Sequence, residues 1–329
     1  MTDTLTVRSD VRVRRQTLAD LLRENVIWAV LVFVVIILSL ASDVFLTPLN
    51  ILNILRQISI LGIVAIGMTF AMIGGSFDLT VGATMGLATV VVIQLQPVDP
   101  QSAAVAVVGG LLAGLLVGVV NGVLVGRLET NSVVTTIGTL YAVWGITLIY
   151  TKARHIWVVG MYPPLAALGT GRLGPFPLPI FAFAITAVLG HLALTATRFG
   201  RYLYATGGNS ASARLSGINV GRVRLVSYML SGLAAAIAGI VIAARVQNVD
   251  PSFGVGFEFD VLAAVILGGT SLFGGRGSVL GTVAGVLLLG VLGNAMTLMG
   301  ISYQFQLMIR GIILVAAVAA NVIVRRRRG

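Results

Sequence analysis

A carboxylate interrupts one of the long apolar regions of the sequence, in the stretch Gly74-Gly75-Ser76-Phe77-Asp78-Leu79-Thr80-Val81-Gly82. Two adjacent glycines precede Asp78, and such a pair favours a break in a helix. A charged side chain at the centre of a membrane helix costs about 2.5–3.5 kcal/mol, so an intramembrane Asp is a candidate for function. Two roles stay open for Asp78: a group on a transport pathway, or a cap that accepts the first backbone N–H groups of the next helix. Both hold if the helix breaks inside the protein.

Other residue types with catalytic potential are few and isolated. The two histidines, His155 and His191, have no acidic or histidine partner at metal-ligand spacing, and no paired carboxylates mark an acid–base site. Lys152 follows Ile149-Tyr150-Thr151, whereas a phosphate-binding Walker A loop requires Gly-Lys before Ser or Thr. Cysteine is absent. We expect no catalytic residue, no metal site and no cofactor in this chain, so any ATP and magnesium must bind to another polypeptide.

The composition places these residues in a membrane protein. Hydrophobic residues make up 57% of the 329 residues and charged residues 10%, with a mean hydropathy of +1.01, far more apolar than a soluble domain. About 20 apolar residues cross a bilayer as a helix. The sequence therefore predicts an all-α, polytopic protein with about ten transmembrane helices, from hydrophobic runs at about 26–42, 51–73, 78–96, 103–126, 133–150, 178–196, 225–244, 258–270, 279–299 and 305–324.

Two of these runs contain or border ionisable groups. The run at 258–270 is too short to span a bilayer alone and begins beside Glu258 and Asp260. It fits a half-helix that enters the membrane and turns back. Arg310 lies inside the last run.

The arginines predict the orientation, because segments rich in Lys and Arg stay cytoplasmic. We expect a cytoplasmic basic segment at 1–25, a single transmembrane domain at 26–324 with its main cytoplasmic loop at about 197–224, and a cytoplasmic basic tail at 325–329. The first segment also resembles a cleavable signal peptide, but its basic region is long, and an uncleaved first helix is the simpler account. The net charge of +11 comes from these topology signals, so we expect no nucleic acid partner.

A short helix is predicted within the main cytoplasmic loop, at 208–218. Asn209 or Ser210 can cap its start, and Gly217 can end it in a left-handed conformation. The helix carries a small apolar face, formed at helical spacing by Ala211, Leu215 and Ile218. Such a face suits a groove on a partner protein. The alternative is a helix that lies at the membrane interface with its arginines near anionic lipid.

Several motifs occur together along the chain. They are Gly67-Met68-Thr69-Phe70 with GGSFDLTVG downstream, Asn121-Gly122, Thr136-Ile137-Gly138-Thr139, ATGGNSASARLSGINVGRVR at 205–224, and VLAAVILGGTSLFGGRGSVLGT at 261–282. Together they resemble the ribose/xylose-type permeases of bacterial ABC importers, and the resemblance covers nearly the whole chain after the first hydrophobic run. It implies a type II-like ABC importer permease architecture.

The resemblance also implies a function and partners. The function would be transport of a monosaccharide, either a pentose, a hexose or a related sugar-like solute. The partners would be a second permease copy or a paralogue, with a homodimer favoured, cytoplasmic ATPase subunits that bind ATP and magnesium, and a periplasmic or lipid-anchored solute-binding protein. The location would be the bacterial inner membrane, with both termini cytoplasmic. Branched-chain amino acids or nucleosides as cargo, and an ion-coupled secondary transporter, stay open as alternatives.

Two sets of candidate site residues follow from these motifs. The substrate pathway set is Gly75, Ser76, Phe77, Asp78 and Asn121. Phe77 stands where such permeases often have an aliphatic residue. The set for coupling to the ATPase is Gly208, Asn209, Ala213, Arg214, Leu215, Ser216, Gly217 and Ile218. We expect Ala213 and Ser216 to face the groove of the partner.

Overall fold

The computed structural model describes residues 26–326, most of them in helices. In chain order the helices are α1 Val26–Ala41, α2 Pro48–Ile73, α3 Val81–Gln94, α4 Pro100–Asn121, α5 Ser132–Thr151, α6 Pro163–Thr170, α7 Leu178–Thr195, α8 Arg198–Gly208, α9 Ser210–Leu215, α10 Val220–Val246, α11 Phe257–Leu267, α12 Val279–Leu298 and α13 Tyr303–Arg326. A π-helical segment, Gly122–Arg127, continues α4. The strands are β1 Ile156–Trp157, β2 Arg172–Leu173, β3 Phe176–Pro177 and β4 Asn248–Val249.

Every hydrophobic run of the sequence coincides with one of these helices, which confirms the all-α, polytopic class. Within residues 26–326, seven helical segments are long and apolar enough to cross a membrane, and α1 and α3 are shorter apolar helices. The number of crossings stays a prediction. Helix α10 begins at Val220, within the cytoplasmic loop predicted at about 197–224, and the bounds of that loop stay a prediction. The predicted basic segment 1–25 and residues 327–329 of the tail lie outside the described residues.

Polar caps and prolines begin several of the helices. Thr47 caps α2 by accepting a hydrogen bond from the N–H of Asn50, and Pro48 occupies the first helical position, where its missing N–H costs nothing. Asp99 and Ser102 form a capping box at the start of α4. The backbone N–H of Ser102 lowers the pKa of Asp99 below its usual value, so the cap stays charged at neutral pH.

The connections between helices meet in two groups, which lie at opposite ends of the bundle. At one end, β1 pairs antiparallel with β4, and the N–H of Tyr162 donates to the carbonyl of Pro97 at 2.7 Å. At the other end, Tyr204 reaches the carbonyl of Gly277. This grouping agrees with helices that alternate in direction along the chain, as the predicted topology requires.

Helix α10 lies at the centre of the bundle and α13 at its edge. Of the 18 consecutive residues that are most apolar in each helix, 67% are buried in α10 and 6% in α13. Helix α4 packs on α10 through glycines at four-residue spacing, namely Gly110, Gly114, Gly118 and Gly122. A Cβ atom at Gly114 would overlap the carbonyl of Gly232, and one at Gly118 would lie 2.5 Å from the carbonyl oxygen of Tyr228. The two backbones approach this closely only because no side chain separates them.

We expect Gly118→Leu to destabilise the folded protein, because the new side chain would push α4 away from α10. Overpacking of this kind costs about 1–3 kcal/mol, and more where backbone must move. The matched control is Gly138→Leu on α5, where a Cβ atom meets nothing within 4 Å. Thermal unfolding of both variants in mild detergent measures the difference, and equal midpoints would contradict the close α4–α10 contact.

Candidate functional site

The predicted helix break lies between α2 and α3 and is enclosed by protein. Helix α2 ends at Ile73 with Gly74 as its C-cap, and Gly75 follows in the left-handed region with a φ of +77°. The side chains after this turn point into the bundle: Ser76, Asp78 and Thr80 are all buried, Asp78 with 2% of its surface exposed. The chain therefore leaves helical geometry inside the protein and not in a solvated loop.

Asp78 stabilises the turn that leads into α3. Its Oδ1 accepts hydrogen bonds from the backbone N–H of Thr80 at 3.1 Å and from the Thr80 hydroxyl at 2.5 Å. Thr80 is the N-cap residue of α3 and makes no capping bond with its own side chain. Asp78 lies two positions before the N-cap residue, so it binds the N–H of the cap residue and not those of the first helical turn, as the predicted cap would.

Three neighbouring helices hold the break in place. Asn121, which ends α4 and is fully buried, donates from Nδ2 to the hydroxyl of Thr80 at 3.0 Å. The hydroxyl of Tyr228 on α10 donates to the carbonyl of Phe77 at 2.7 Å. The N–H of Phe77 donates to the hydroxyl of Ser132 at the start of α5. The structure therefore brings Asn121 next to the break, as the sequence predicted, and adds Thr80, Tyr228 and Ser132.

A second irregular segment, residues 250–256, enters the bundle from the opposite end and meets α3. Its Gly254 and Gly256 both have positive φ values. A Cβ atom at Gly82 would overlap the carbonyl of Gly254, and one at Gly86 would overlap that of Phe253. Helix α11, which follows this segment, has 11 residues, and the half-helix at 258–270 stays a prediction.

Glu258, at the start of α11, is a buried group that the sequence reasoning did not assign to the site. It is 3% exposed and lies beside Gly82, and its Oε1 accepts a hydrogen bond from the N–H of Gly256. Its Oε2 has no hydrogen-bond partner among the described residues. The signal that could have found it is a carboxylate two residues after a glycine, at the start of an apolar run too short to span a bilayer.

Backbone contacts join the first break to the loops at its own end of the bundle. The N–H of Gly275 donates to the carbonyl of Ile73, the last residue of α2, at 2.9 Å. A Cβ atom at Gly207 would overlap that carbonyl, and one at Gly274 would lie 2.7 Å from the Cα of Gly75. We name the contact between Gly75, Gly207 and Gly274 the glycine seam. It connects α8 and the loop after α11 to the break.

Tyr204 fastens α8 to the same loop. Its hydroxyl donates to the carbonyl of Gly277 at 2.8 Å. Burial raises the pKa of Tyr204 above its usual value, so the phenol keeps the proton that it donates. Close backbone contact and the hydrogen bond of Tyr204 therefore both hold α8 against the loop after α11.

A short helix, α9 Ser210–Leu215, lies within the range predicted at 208–218, and its cytoplasmic location stays a prediction. Asn209 is its N-cap and accepts the N–H of Ser212 at 2.9 Å, and Gly217 ends it with a φ of +80°. The expected orientation was wrong for one residue: Ala213 is 4% exposed and packs against its own chain, whereas Leu215 is 92% exposed. Helical spacing alone does not say which side of a six-residue helix rests on the protein.

An ion pair links α9 to the segment after α4. Nη2 of Arg214 lies 2.7 Å from Oε1 of Glu129, with both side chains about half exposed. Exposed pairs contribute about 0–1 kcal/mol, so this pair positions α9 more than it stabilises the fold. Beside it lies a cavity of about 380 Å³, lined by Gly126, Arg127, Glu129, Arg214, Ile218, Asn219, Val220 and Gly221. Arg214 and Ile218 belong to the predicted coupling set, whereas Glu129 was missed.

The remaining ionisable groups of interest occur in pairs. His155 lies 2.9 Å from Asp250 at the end of the bundle where β1 meets β4. Arg310, which the sequence placed inside a membrane run, donates to Asp260 on α11 at 2.7 Å. Among residues 26–326, no group of three or more His, Asp or Glu side chains could hold a metal ion.

The chain is similar to known proteins over most of its length. Residues 50–318 match the family described as branched-chain amino acid transport system / permease component. The ribose import permease protein of Bacillus subtilis (strain 168) is 40% identical over 290 residues, which cover 88% of this chain and 89% of that protein. The ribose import permease protein of Escherichia coli (strain K12) is 36% identical over 307 residues, 93% of this chain and 95% of that protein. The L-arabinose transport system permease protein of Escherichia coli (strain K12) is 38% identical over 292 residues, 87% of each. No solved structure matches the chain.

We expect Asp78→Ala to destabilise the protein more than Asp78→Asn. The Ala variant leaves the N–H and the hydroxyl of Thr80 without their acceptor in the protein interior, at about 1–3 kcal/mol for each unsatisfied group, whereas Asn keeps an acceptor oxygen. Thermal unfolding in detergent tests this ranking. The control is Asp43→Ala, at an exposed position between α1 and α2. If Asp78→Ala unfolds at the same temperature as Asp43→Ala, the carboxylate does not hold the break.

Proposed function

The chain belongs to the permease family described for branched-chain amino acid transport systems, and we propose that within this family it is the membrane-spanning subunit of an ATP-binding cassette importer for a monosaccharide. The observation that carries the proposal is the 36–40% identity to ribose import permeases over most of the chain. The L-arabinose relative extends the similarity to a second pentose permease.

The cargo is proposed as a sugar although the description of the family names branched-chain amino acids. All three relatives named above are named for pentoses, and each aligns with more than four-fifths of this chain. The similarity therefore includes both helix breaks, α9 and α11, and not an isolated motif. A pentose or a similar monosaccharide is the cargo class that this similarity supports.

The energy for transport is proposed to come from a separate ATPase subunit. Lys152 is the single lysine of the sequence and lacks the preceding glycine that a phosphate-binding loop needs. ATP and magnesium would therefore bind to the partner, and this chain would have no catalytic site of its own. Helix α9 offers the contact: Leu215 projects almost fully exposed from a helix whose other face rests on the chain through Ala213.

The glycine seam supplies a physical route from α9 to the first helix break. Helix α9 follows α8 with only Asn209 between them, so a displacement of α9 moves the end of α8. Gly207 at that end touches the carbonyl of Ile73, immediately before the break. We propose that ATP-driven movement of α9 opens the pathway set Gly75, Ser76, Phe77, Asp78 and Asn121. Neither of the two cavities described for this structure is lined by Asp78, so a pathway role requires that the break move.

The proposed assembly contains two permease chains, favoured as identical copies, with two ATPase subunits on the cytoplasmic side. A solute-binding protein would dock at the opposite end, where β1 and β4 pair. Both termini would be cytoplasmic, in the inner membrane of a bacterium. The arginine distribution of the sequence supports this orientation.

We expect the chain, reconstituted in proteoliposomes with its ATPase and solute-binding protein, to take up D-ribose or another pentose in an ATP-dependent manner. Radiolabelled pentoses, hexoses and leucine are offered in parallel. ATP-dependent uptake of leucine without uptake of any sugar would overturn the proposal. In the same assay, Asp78→Asn should impair uptake at equal abundance of the complex, and uptake at the wild-type rate would remove Asp78 from the pathway.

We expect Leu215→Asp to weaken binding of the ATPase at least about tenfold, because the proposed groove would have to bury an unpaired charge, and each 1.4 kcal/mol corresponds to tenfold in affinity. The matched control is Leu173→Asp, on β2 at the other end of the bundle, where the leucine is also largely exposed. Copurification of the ATPase and ATP hydrolysis by the complex measure the effect. Wild-type values for both variants would show that α9 does not contact the ATPase.

A further inference from the structure

A small cavity with a mixed lining lies between α2, α11, α12 and α13, well away from the first helix break. Its volume is about 140 Å³. The polar part of its lining comes from Gln57, Asp260 and Arg310, and Phe257, Gly290 and Gly293 are among the apolar and small residues. None of these residues belongs to the site sets that the sequence predicted.

Two of the three polar residues lie well inside helices that are long and apolar enough to cross a membrane. Arg310 is seven residues after the start of α13, and Gln57 is nine residues after the start of α2. At 1.5 Å per residue, both lie roughly 10–14 Å from the helix ends, well inside a hydrocarbon layer of about 30 Å. The cavity therefore opens at membrane depth and not in the headgroup region.

These groups are partly exposed at the surface of the single chain. The side chains of Arg310 and Asp260 are 34% and 25% exposed, with their charged atoms 2.7 Å apart. Gln57, which lines the same cavity, is exposed on α2. Lipid cannot hydrogen-bond such groups, and ionisable residues at this depth face a water-filled cavity or another protein chain.

Resting on the proposed function, we propose that Gln57, Asp260 and Arg310 form a monosaccharide contact site on the wall of the translocation pathway. A carboxylate accepts hydrogen bonds from sugar hydroxyls, whereas a guanidinium and an amide N–H donate to hydroxyl oxygens. Arg310 uses one of its five N–H donors on Asp260, so others are available to a solute. The ring of Phe257 in the same lining gives an apolar face for the C–H side of a sugar.

The cavity is smaller than a typical ligand site. Its volume is about 140 Å³, whereas pockets that retain ligands usually enclose about 300–1,000 Å³. A transport pathway needs contacts weak enough for the solute to leave. An ion pair with a purely structural role would not explain why Gln57 lines the same cavity as Asp260 and Arg310.

The absence of cysteine from the sequence allows a direct test of access. In the reconstituted complex, we expect Gln57→Cys to react with a water-soluble methanethiosulfonate reagent, and the transported pentose to slow this reaction. The control is Ile312→Cys, which is exposed on α13 but does not line the cavity. It should react slowly because its thiol faces lipid. A Gln57→Cys thiol that does not react, or that reacts equally fast with and without the pentose, would overturn the inference.

Uptake kinetics give the second test and separate contact from structure. Gln57→Ala should raise the apparent KM for the pentose about threefold to tenfold, the loss expected for one hydrogen bond, at unchanged abundance. Asn53→Ala, one turn away on α2 and also exposed, should leave the KM unchanged. The exchanged pair Asp260→Arg with Arg310→Asp restores an ion pair, so a structural role predicts recovery of uptake, whereas a contact role predicts continued loss.

Failure of the proposed transport function and failure of the proposed contact site give different experimental results. If the chain does not transport sugars, the wild-type complex itself shows no pentose uptake. If only the contact site is wrong, the wild-type complex transports the pentose, and both Gln57→Ala and the exchanged pair match it in apparent KM and maximal rate.

Discussion

Two stretches of chain, residues 74–80 and 250–256, leave helical geometry inside the helix bundle, where lipid supplies no hydrogen bonds for the freed backbone groups. The protein must therefore supply these partners itself. Tyr228 donates to the carbonyl of Phe77, Gly275 donates to that of Ile73, and Asp78 accepts the N–H of Thr80. These partners lie on α10, in the loop after α11 and in the segment just before α3. The need to pair the backbone groups of the break therefore constrains where these elements lie.

Glycines make that arrangement sterically possible. The row on α4 lets α10 approach the break closely enough for Tyr228 to reach it, and the glycine seam lets three backbones meet where the break begins. The same contacts give the break two discrete sets of neighbours, packed helices on one side and loops on the other. A movement of α8 and α9 changes the loop contacts first, because Gly207 touches the chain at Ile73. The proposed coupling between ATP hydrolysis and transport thus rests on the contacts that satisfy the break.

The ionisable groups at membrane depth fall into two environments. Asp78 is enclosed and accepts two hydrogen bonds from Thr80, which suits a group that holds a closed segment. Asp260 and Arg310 face a cavity and are partly exposed, which suits groups that meet a solute. A single carboxylate in an apolar sequence region therefore does not identify the pathway by itself. A cavity beside an ionisable group distinguishes a group that can meet a solute from one that holds the fold.

Much of the architecture was readable from the sequence, because hydrophobic length and helix-breaking residues act locally. The runs of apolar residues became helices, Gly74-Gly75 became a break, 258–270 became a short helix, and Asn209 and Gly217 became the ends of α9. The link between Asn121 and the break was also predicted, from the motifs of the family. Contacts between distant parts of the chain were not readable, because they depend on how helices are rotated and how deep each one lies. The burial of Ala213 in place of Leu215, the meeting of Gly82 with Gly254, and the pairing of Asp260 with Arg310 were decided by tertiary packing alone. The residue types and their spacing determined the positions of the long apolar helices, of the break after α2 and of the short helix α9. Only the packing of those helices determined which polar groups face each other and which face a cavity.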